Sequence, residues 1–303
     1  MVDQLLHDQS FWELHPDDEC YPASVRDLEH PPKIIYGRGN PEILANMGLG
    51  VIGARRATPY GLAVATMAGR IAAESGITLV SGGAMGCDAA AARGALDAGG
   101  KTIVVSGVGA DTVYPRTSRD VFERAVRQDG AVIALVPWGQ TPRKGCFPQR
   151  NIIIAALSRA LLICEAGLRS GTSSTAAAAA EMGREIYAAP GSIFSPESQG
   201  ANALIRDGGS IVCSEADLEM LISRDFGVLR LVQEQVATPR NRLVSALVAS
   251  PMRADDLAHS LGEEPLAVLR YLADYEASGM VTRLPDGRYA PTKEALLGAR
   301  MGD

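Results

Sequence analysis

The chain has 303 residues, 47% of them hydrophobic and 21% charged, with a formal net charge of −6. At roughly 100–200 residues per domain, that length suggests one large domain and one small one, with the composition of a soluble globular protein. The acidic balance excludes a globally basic nucleic-acid binder, so any DNA site has to be a local cationic cluster on an acidic body.

Residues 1–30 are polar and punctuated by proline, and are expected to form an N-terminal stub with one or two helical turns. Their acidic start lacks the basic-then-apolar order of a signal peptide. From residue 31 to about 225, short apolar runs alternate with Ala-rich segments of helical spacing. The runs at 50–53, 77–80, 102–106, 131–136, 160–165, 185–189 and 210–212 read as buried strands, and 61–74 and 89–97 as helices. This alternation predicts an α/β fold, an extended Rossmann-like parallel sheet with helices on both faces. The ligand site of such a fold lies beyond the carboxyl ends of the strands. Residues 226–239 read as a linker ending at Ala237-Thr238-Pro239. Helical stretches follow at 240–249, 253–261 and 265–278, the last closed by Gly279 as a C-cap. Short strands at 280–284 and 288–290 flank Asp286-Gly287 and predict a hairpin. Three helices and a hairpin make a small winged-helix domain over 240–303.

No apolar run is long enough to span a bilayer. Cys20, Cys87, Cys146, Cys164 and Cys213 are scattered, odd in number and without a CxxC pair, which argues against zinc or a disulfide framework. The expected setting is reducing and cytoplasmic, with no metal.

Several strand-to-helix loops carry chemistry. Gly53-Ala54-Arg55-Arg56 precedes a helix start, where backbone N–H groups attract phosphate and arginines add bidentate contacts; a capping loop with solvated arginines is the plain alternative. Ser81-Gly82-Gly83-Ala84-Met85-Gly86-Cys87-Asp88 is a second glycine-rich turn. Its glycines allow close ligand approach, and Asp88 suits a helix cap. Gly107-Val108-Gly109 has threonine at position 112 where a dinucleotide fingerprint needs glycine, so NAD binding is rejected. The segment from Lys144 to Asn151 sets Phe147 among Lys144, Gln149, Arg150 and Asn151. A ring among cations suits a single strand, whose bases stack while cations hold the backbone. A surface loop with its phenylalanine tucked inward fits the composition equally well. Ser170-Gly171-Thr172-Ser173-Ser174-Thr175 is a hydroxyl-rich helix start suited to phosphate oxygens, with a bare N-cap as the alternative.

Taken together, these motifs resemble the DNA-processing protein A family (DprA, also called Smf) over about residues 31–303. The resemblance rests on Gly53-Ala54-Arg55 with Tyr60-Gly61, Ser81 through Asp88, Tyr114-Pro115, Phe147 to Asn151, Glu165-Ala166, Ser170-Gly171, Gly183-Arg184, Pro190-Gly191 and Gly200-x-Asn202-x-Leu204-Ile205. It implies a protein that binds single-stranded DNA and helps load RecA during natural transformation, as a dimer without cofactor or catalysis. It also implies that Arg55, Lys144, Phe147, Arg150 and Asn151 line the strand, with Ser170 and Gly171 near a phosphate. The wider expected set adds Arg56 and Thr172 as DNA contacts and Gly53, Ser81, Gly82 and Gly86 as a phosphate loop. The chain departs from the family pattern at Ala54, Ala92, Ala134-Leu135 and Ile152, and in its shortened N-terminus.

The C-terminal segment looks poor for duplex reading. Residues 240–303 hold eight Lys/Arg and nine Asp/Glu, and the third helix offers Arg270 as its only cation. A protein-contact or dimer-supporting role is expected there. Two other functions stay open for the large domain: a nucleotide N-glycosidase-like enzyme and a nucleotide sensor using the same pocket. The first needs a carboxylate beside the Ser170 loop, and none is evident from the sequence.

Overall fold

A computed structural model describes residues 11–143, 145–168, 170–230 and 239–292. The chain divides into two compact units, residues 1–231 and 232–303.

The first unit is one nine-stranded sheet with helices on both faces. Its strands are β1 (Phe11–Leu14), β2 (Ile35–Gly39), β3 (Gly48–Ile52), β4 (Leu79–Ser81), β5 (Thr102–Ser106), β6 (Ala131–Ala134), β7 (Ser158–Ile163), β8 (Glu185–Ala188) and β9 (Ser210–Ile211). Its helices are α1 (Ala23–Arg26), α2 (Pro59–Glu74), α3 (Cys87–Asp97), α4 (Arg119–Arg127), α5 (Cys146–Ala156), α6 (Gly171–Glu181), α7 (Gln199–Arg206) and α8 (Glu215–Phe226). The spatial order is β1-β2-β6-β5-β4-β3-β7-β8-β9, parallel from β6 to β9. Side chains alternate along each strand, so the central strands feed two cores. Val51 and Leu162 join α2, α3, α4 and α8 on one face, while Ile52, Leu161 and Ile163 join α5, α6 and α7 on the other. Strands buried on both sides read as continuous apolar runs, which is why the five central parallel strands, β3 to β7, fall within two residues of their expected starts.

The first edge corrects the expectation for the N-terminal stub. Residues 11–14 form β1, antiparallel to β2, which is itself antiparallel to β6. The sequence of β2, Ile-Tyr-Gly-Arg-Gly, hides its strand character. Gly37 is required because the Trp12 indole packs on it, so that a Cβ there would lie 2.1 Å from the ring. The Trp12 Nε1–H donates to Gly39 O at 2.8 Å and fixes the register.

The expected linker also starts too early. Gly227 closes α8 in the left-handed region at φ 68°, but residues 228–230 still pack on the sheet unit. The nearly buried Arg230 guanidinium pairs with Glu74 and Glu219, and Arg70 pairs with Glu215 at 2.7 Å. A guanidinium shared among carboxylates extends the unit past residue 226.

The second unit contains α9 (Pro239–Ala249), α10 (Ala254–Leu261), α11 (Pro265–Ala277) and an antiparallel hairpin of β10 (Val281–Arg283) and β11 (Tyr289–Pro291). Leu243, Leu247, Leu257, Val268, Leu272, Tyr275 and Val281 form its own core. The turn at Asp286-Gly287 places Gly287 at φ 83°, and Asp286 Oδ1 accepts from Arg288 N at 3.1 Å. This is the expected winged helix.

Candidate nucleic-acid interface

From β3 the chain steps to β4, β5 and β6 on one side, while β7, β8 and β9 continue on the other. The loops leaving β3 and β7 therefore diverge, and an α/β sheet opens its ligand crevice at such a switch point. A cleft of about 490 Å³ lies there, lined by Gly53, Ala54, Arg55, Asp88, Arg150, Asn151, Ser170, Gly171, Thr172 and Thr175 among others.

The loop after β3 is held by Glu165, at the end of β7. Ala54 N donates to Glu165 O at 2.8 Å, Thr58 N donates to Glu165 Oε2 at 2.8 Å, and the Thr58 hydroxyl donates to Oε1 at 2.6 Å. Thr58 also caps α2 by accepting from Gly61 N, and the buried carboxylate meets the positive end of that helix. Gly61 makes room for it, since a Cβ there would lie 2.5 Å from Glu165 Oε2. The fastened loop presents Arg55 over the Phe147 ring at 5.4 Å. Arg56 is exposed and lines neither this cleft nor its neighbour.

The expected phosphate loop after β4 is mostly structural. The Ser81 hydroxyl is fully buried and donates to Val51 O at 2.8 Å. Gly82 N donates to Asp88 Oδ2 at 3.1 Å. Gly86 turns the chain at φ 85°, where a Cβ would lie 2.2 Å from Ala54 O. Of the four expected residues, only Gly53 lines the cleft. Asp88 is not the cap of α3, a position held by Gly86. Its side chain turns back into the loop, accepts from backbone N–H groups and lines the cleft, so a carboxylate does stand beside the Ser170 loop.

The first turns of α5 supply the rest. Phe147, Arg150 and Asn151 are spaced i, i+3, i+4 and share one helix face. Phe147 lies on Gly107, where a Cβ would come within 2.6 Å of the ring, and its centroid is 6.2 Å from that of Tyr114. These rings, with Met85, Gly82 and Arg55, line a smaller pocket beside the cleft, and Arg150 lines both. Arg150 is only 6% exposed. Gly82 admits it, because a Cβ there would lie 1.9 Å from its Nη1. Nη1 donates to Asn151 Oδ1 at 3.2 Å, while Nε is buried without a partner. Burial holds the Arg150 pKa below its usual range against the pull of Asp88, and burial raises that of Asp88 against the pull of Arg150. Asn151 Nδ2 donates to Ser174 Oγ at 3.2 Å and Gly171 O at 3.4 Å, tying α5 to the start of α6. The Ser170 hydroxyl beside that start is buried and unpartnered. A helix start with free N–H groups, an unused hydroxyl and a desolvated cation make a site for an anion.

The structure thus brings together Arg55, Phe147, Arg150, Asn151, Ser170, Gly171 and Thr172. Lys144 lies outside the described residues. The sequence reading missed Tyr114 as a wall of the aromatic pocket, although its Tyr-Pro pair was the available signal. The profile of the DNA recombination-mediator protein A family matches residues 13–223, and that of the DprA winged helix domain matches 232–287. The chain belongs to the DNA recombination-mediator protein A family. Relatives of this family member include Smf of Escherichia coli, 32% identical over 282 residues that make up 89% of this chain and 75% of that protein. Smf of Synechocystis is 35% identical over 241 residues, 77% of this chain and 59% of that one. Among solved structures, DNA processing protein A of Streptococcus pneumoniae superimposes with a TM-score of 0.65 at 34% identity, covering 69% of this chain and 73% of that chain. DNA processing protein A of Helicobacter pylori, studied for its single-stranded DNA binding mode, gives 0.63 at 29% identity, covering 72% and 97%. Among the described residues of this family member, no helix is long and apolar enough to cross a membrane.

Proposed function

We propose that this family member binds single-stranded DNA along the mouth formed by Arg55, Phe147, Arg150, Asn151 and the start of α6. The observation that carries the reading is the shared face of α5, where an aromatic ring under a cation adjoins a buried cation and a helix start. Bases stack on such a ring in a sequence-tolerant way while cations and amides hold phosphates. Ser170, Gly171, Thr172 and Lys144 serve the backbone, Gly53 lines its path, and Arg56 acts from the solvent side. The single-strand binding mode described for the Helicobacter pylori protein supports the same reading.

The protein holds and hands over its strand without a cofactor and without catalysis. Both Glu165 oxygens accept from Thr58, and Asp88 accepts from the Gly82 loop, so neither carboxylate is set up as a general acid or base. In this reading the chain works in the cytoplasm during natural transformation, as a homodimer that protects incoming strands and passes them to RecA. The winged helix serves protein contacts rather than duplex reading, since α11 exposes Leu266 and Leu269 and carries one cation, Arg270.

Titration of labelled oligo-dT and of mononucleotides across a salt series tests the reading. Tight, salt-dependent binding of the oligomer alone is expected. Equal or tighter binding of a mononucleotide overturns it in favour of a nucleotide sensor.

A further inference from the structure

The loop after β8 holds Phe194, the most exposed large hydrophobic side chain among the described residues at 89%, beside Ile193 at 76%. Leu168, on the neighbouring loop after β7, is 60% exposed. A scattered apolar side chain on a surface is ordinary, but this loop is tied down on all sides. Asn202 brackets Gly191 with two bonds of 3.0 Å, Gly200 N donates to Ala166 O at 2.7 Å, and the Tyr60 hydroxyl donates to Pro190 O. Within the loop, Phe194 N donates to Ser192 Oγ and Ser195 N donates to Ser192 O. The backbone that carries the exposed ring is therefore a built turn.

Its place in the fold points to its partner. Phe147, at the start of α5, packs on Gly107 in the loop after β5, and Phe194 follows β8, with β4, β3 and β7 between. Four strand intervals of about 4.8 Å put the ends of β5 and β8, beside which these two residues lie, about 19 Å apart along the carboxyl edge. At the roughly 3.4 Å rise of a strand in duplex DNA, the most compact spacing, that is at most about six nucleotides, and fewer for an extended single strand. The start of α6, with Ser170 and Gly171, lies between them.

We propose that Phe194, beside Ile193 and with Leu168 on the adjoining loop, is a second stacking platform for the same single strand, which runs from Phe147 across the start of α6 to the β8 loop. The proposal rests on the single-strand reading above. A second copy of this chain fits the patch less well, because three side chains fall far short of the roughly 800 Å² per partner of a stable interface. The loop from 190 to 198 carries no cation, so its contribution is stacking and not phosphate neutralisation.

The test compares full-length wild type, Phe194→Ala, Phe194→Trp and Phe147→Ala with oligo-dT of about 2 and about 12 nucleotides, shorter and longer than the span between the two positions. Phe194→Ala is expected to weaken the longer strand at least about fivefold, with an unchanged salt slope and less than a twofold effect on the shorter one. Phe194→Trp is expected to restore the longer strand. If Phe147→Ala weakens binding while Phe194→Ala leaves the longer strand unchanged, the single-strand reading stands and this proposal falls. If wild type binds neither oligomer, both fall. A loss of dimer mass in Phe194→Ala with unchanged DNA affinity would assign the ring to a copy-to-copy contact and also overturn the proposal.

Discussion

Replacing Phe147 by leucine separates the stacking role of the ring from its packing role. Leucine keeps an apolar side chain on Gly107, so the swap costs less than the roughly 3–5 kcal/mol of truncating a buried phenylalanine to alanine. What disappears is the aromatic face. A base stacked on a ring contributes about 1–3 kcal/mol. In the free protein, however, that face already carries the Arg55 guanidinium at 5.4 Å, and an exposed contact of this type contributes about 0.5–1 kcal/mol. The base has to share or displace it, so the net loss should be about 0.5–2 kcal/mol, or about 2- to 30-fold in affinity at about 1.4 kcal/mol per factor of ten. No charge is removed, so the slope of log affinity against log salt should not move. Fluorescence anisotropy of labelled oligo-dT at several salt concentrations measures both quantities. Affinity within twofold of wild type in a folded Phe147→Leu protein would refute the stacking argument, and a shallower salt slope would show that the loop had been disturbed.

Four further outcomes are expected. Arg55→Ala should lower the salt slope by about one ion, as should Lys144→Ala, if each meets a phosphate; an unchanged slope in both would remove them from the DNA path. Glu165→Gln leaves Thr58 without one of its two acceptors and removes a charge from the start of α2, so urea denaturation should show a loss of about 1–3 kcal/mol; an unchanged midpoint would contradict the clamp. Arg93 donates to both oxygens of Asp120 at 2.8 Å and holds its carboxyl below the usual range. With a depressed folded pKa, the pair stabilises above the ordinary carboxylate range and loses that contribution as pH falls through the folded value. Asp120→Asn should therefore flatten the acid side of the stability profile, and an equal loss at every pH would contradict the pairing. Removing residues 238–303 should leave single-strand affinity largely intact, and a loss above about 2 kcal/mol, the scale of one stacking contact, would place the winged helix on the DNA.

The parallel sheet was legible because each central strand is buried on two faces and therefore apolar throughout, as at 102–106 and 160–163. The antiparallel edge was not, because Gly37 makes room for a tryptophan of the neighbouring strand and Gly39, at φ 91°, for the Gly130 carbonyl, constraints invisible along one segment. Phe147, Arg150 and Asn151 could be picked out as a ring among cationic and polar groups, but the segment read as a loop before a helix, whereas it forms the first turns of α5 and gains its shared face there. Arg150 became a buried cation only through Gly82, 68 positions earlier in the chain. Ser81 and Gly82 looked like phosphate ligands because glycine-rich turns expose N–H groups. Here Val51 O and Asp88 have already taken those donors.

The double attachment of the Arg55 loop to Glu165 has a consequence for the thermodynamics of capture. Residues 54 and 58 are both pinned to one residue at the end of a buried strand, so the span between them is a bridge rather than a tether. Ordering a free loop on association would consume conformational entropy. A bridge has already lost that freedom on folding, so more of the gross contact energy at Arg55 survives as affinity. A variant with one pin removed should bind with a larger unfavourable entropy even where every DNA-contacting side chain is intact.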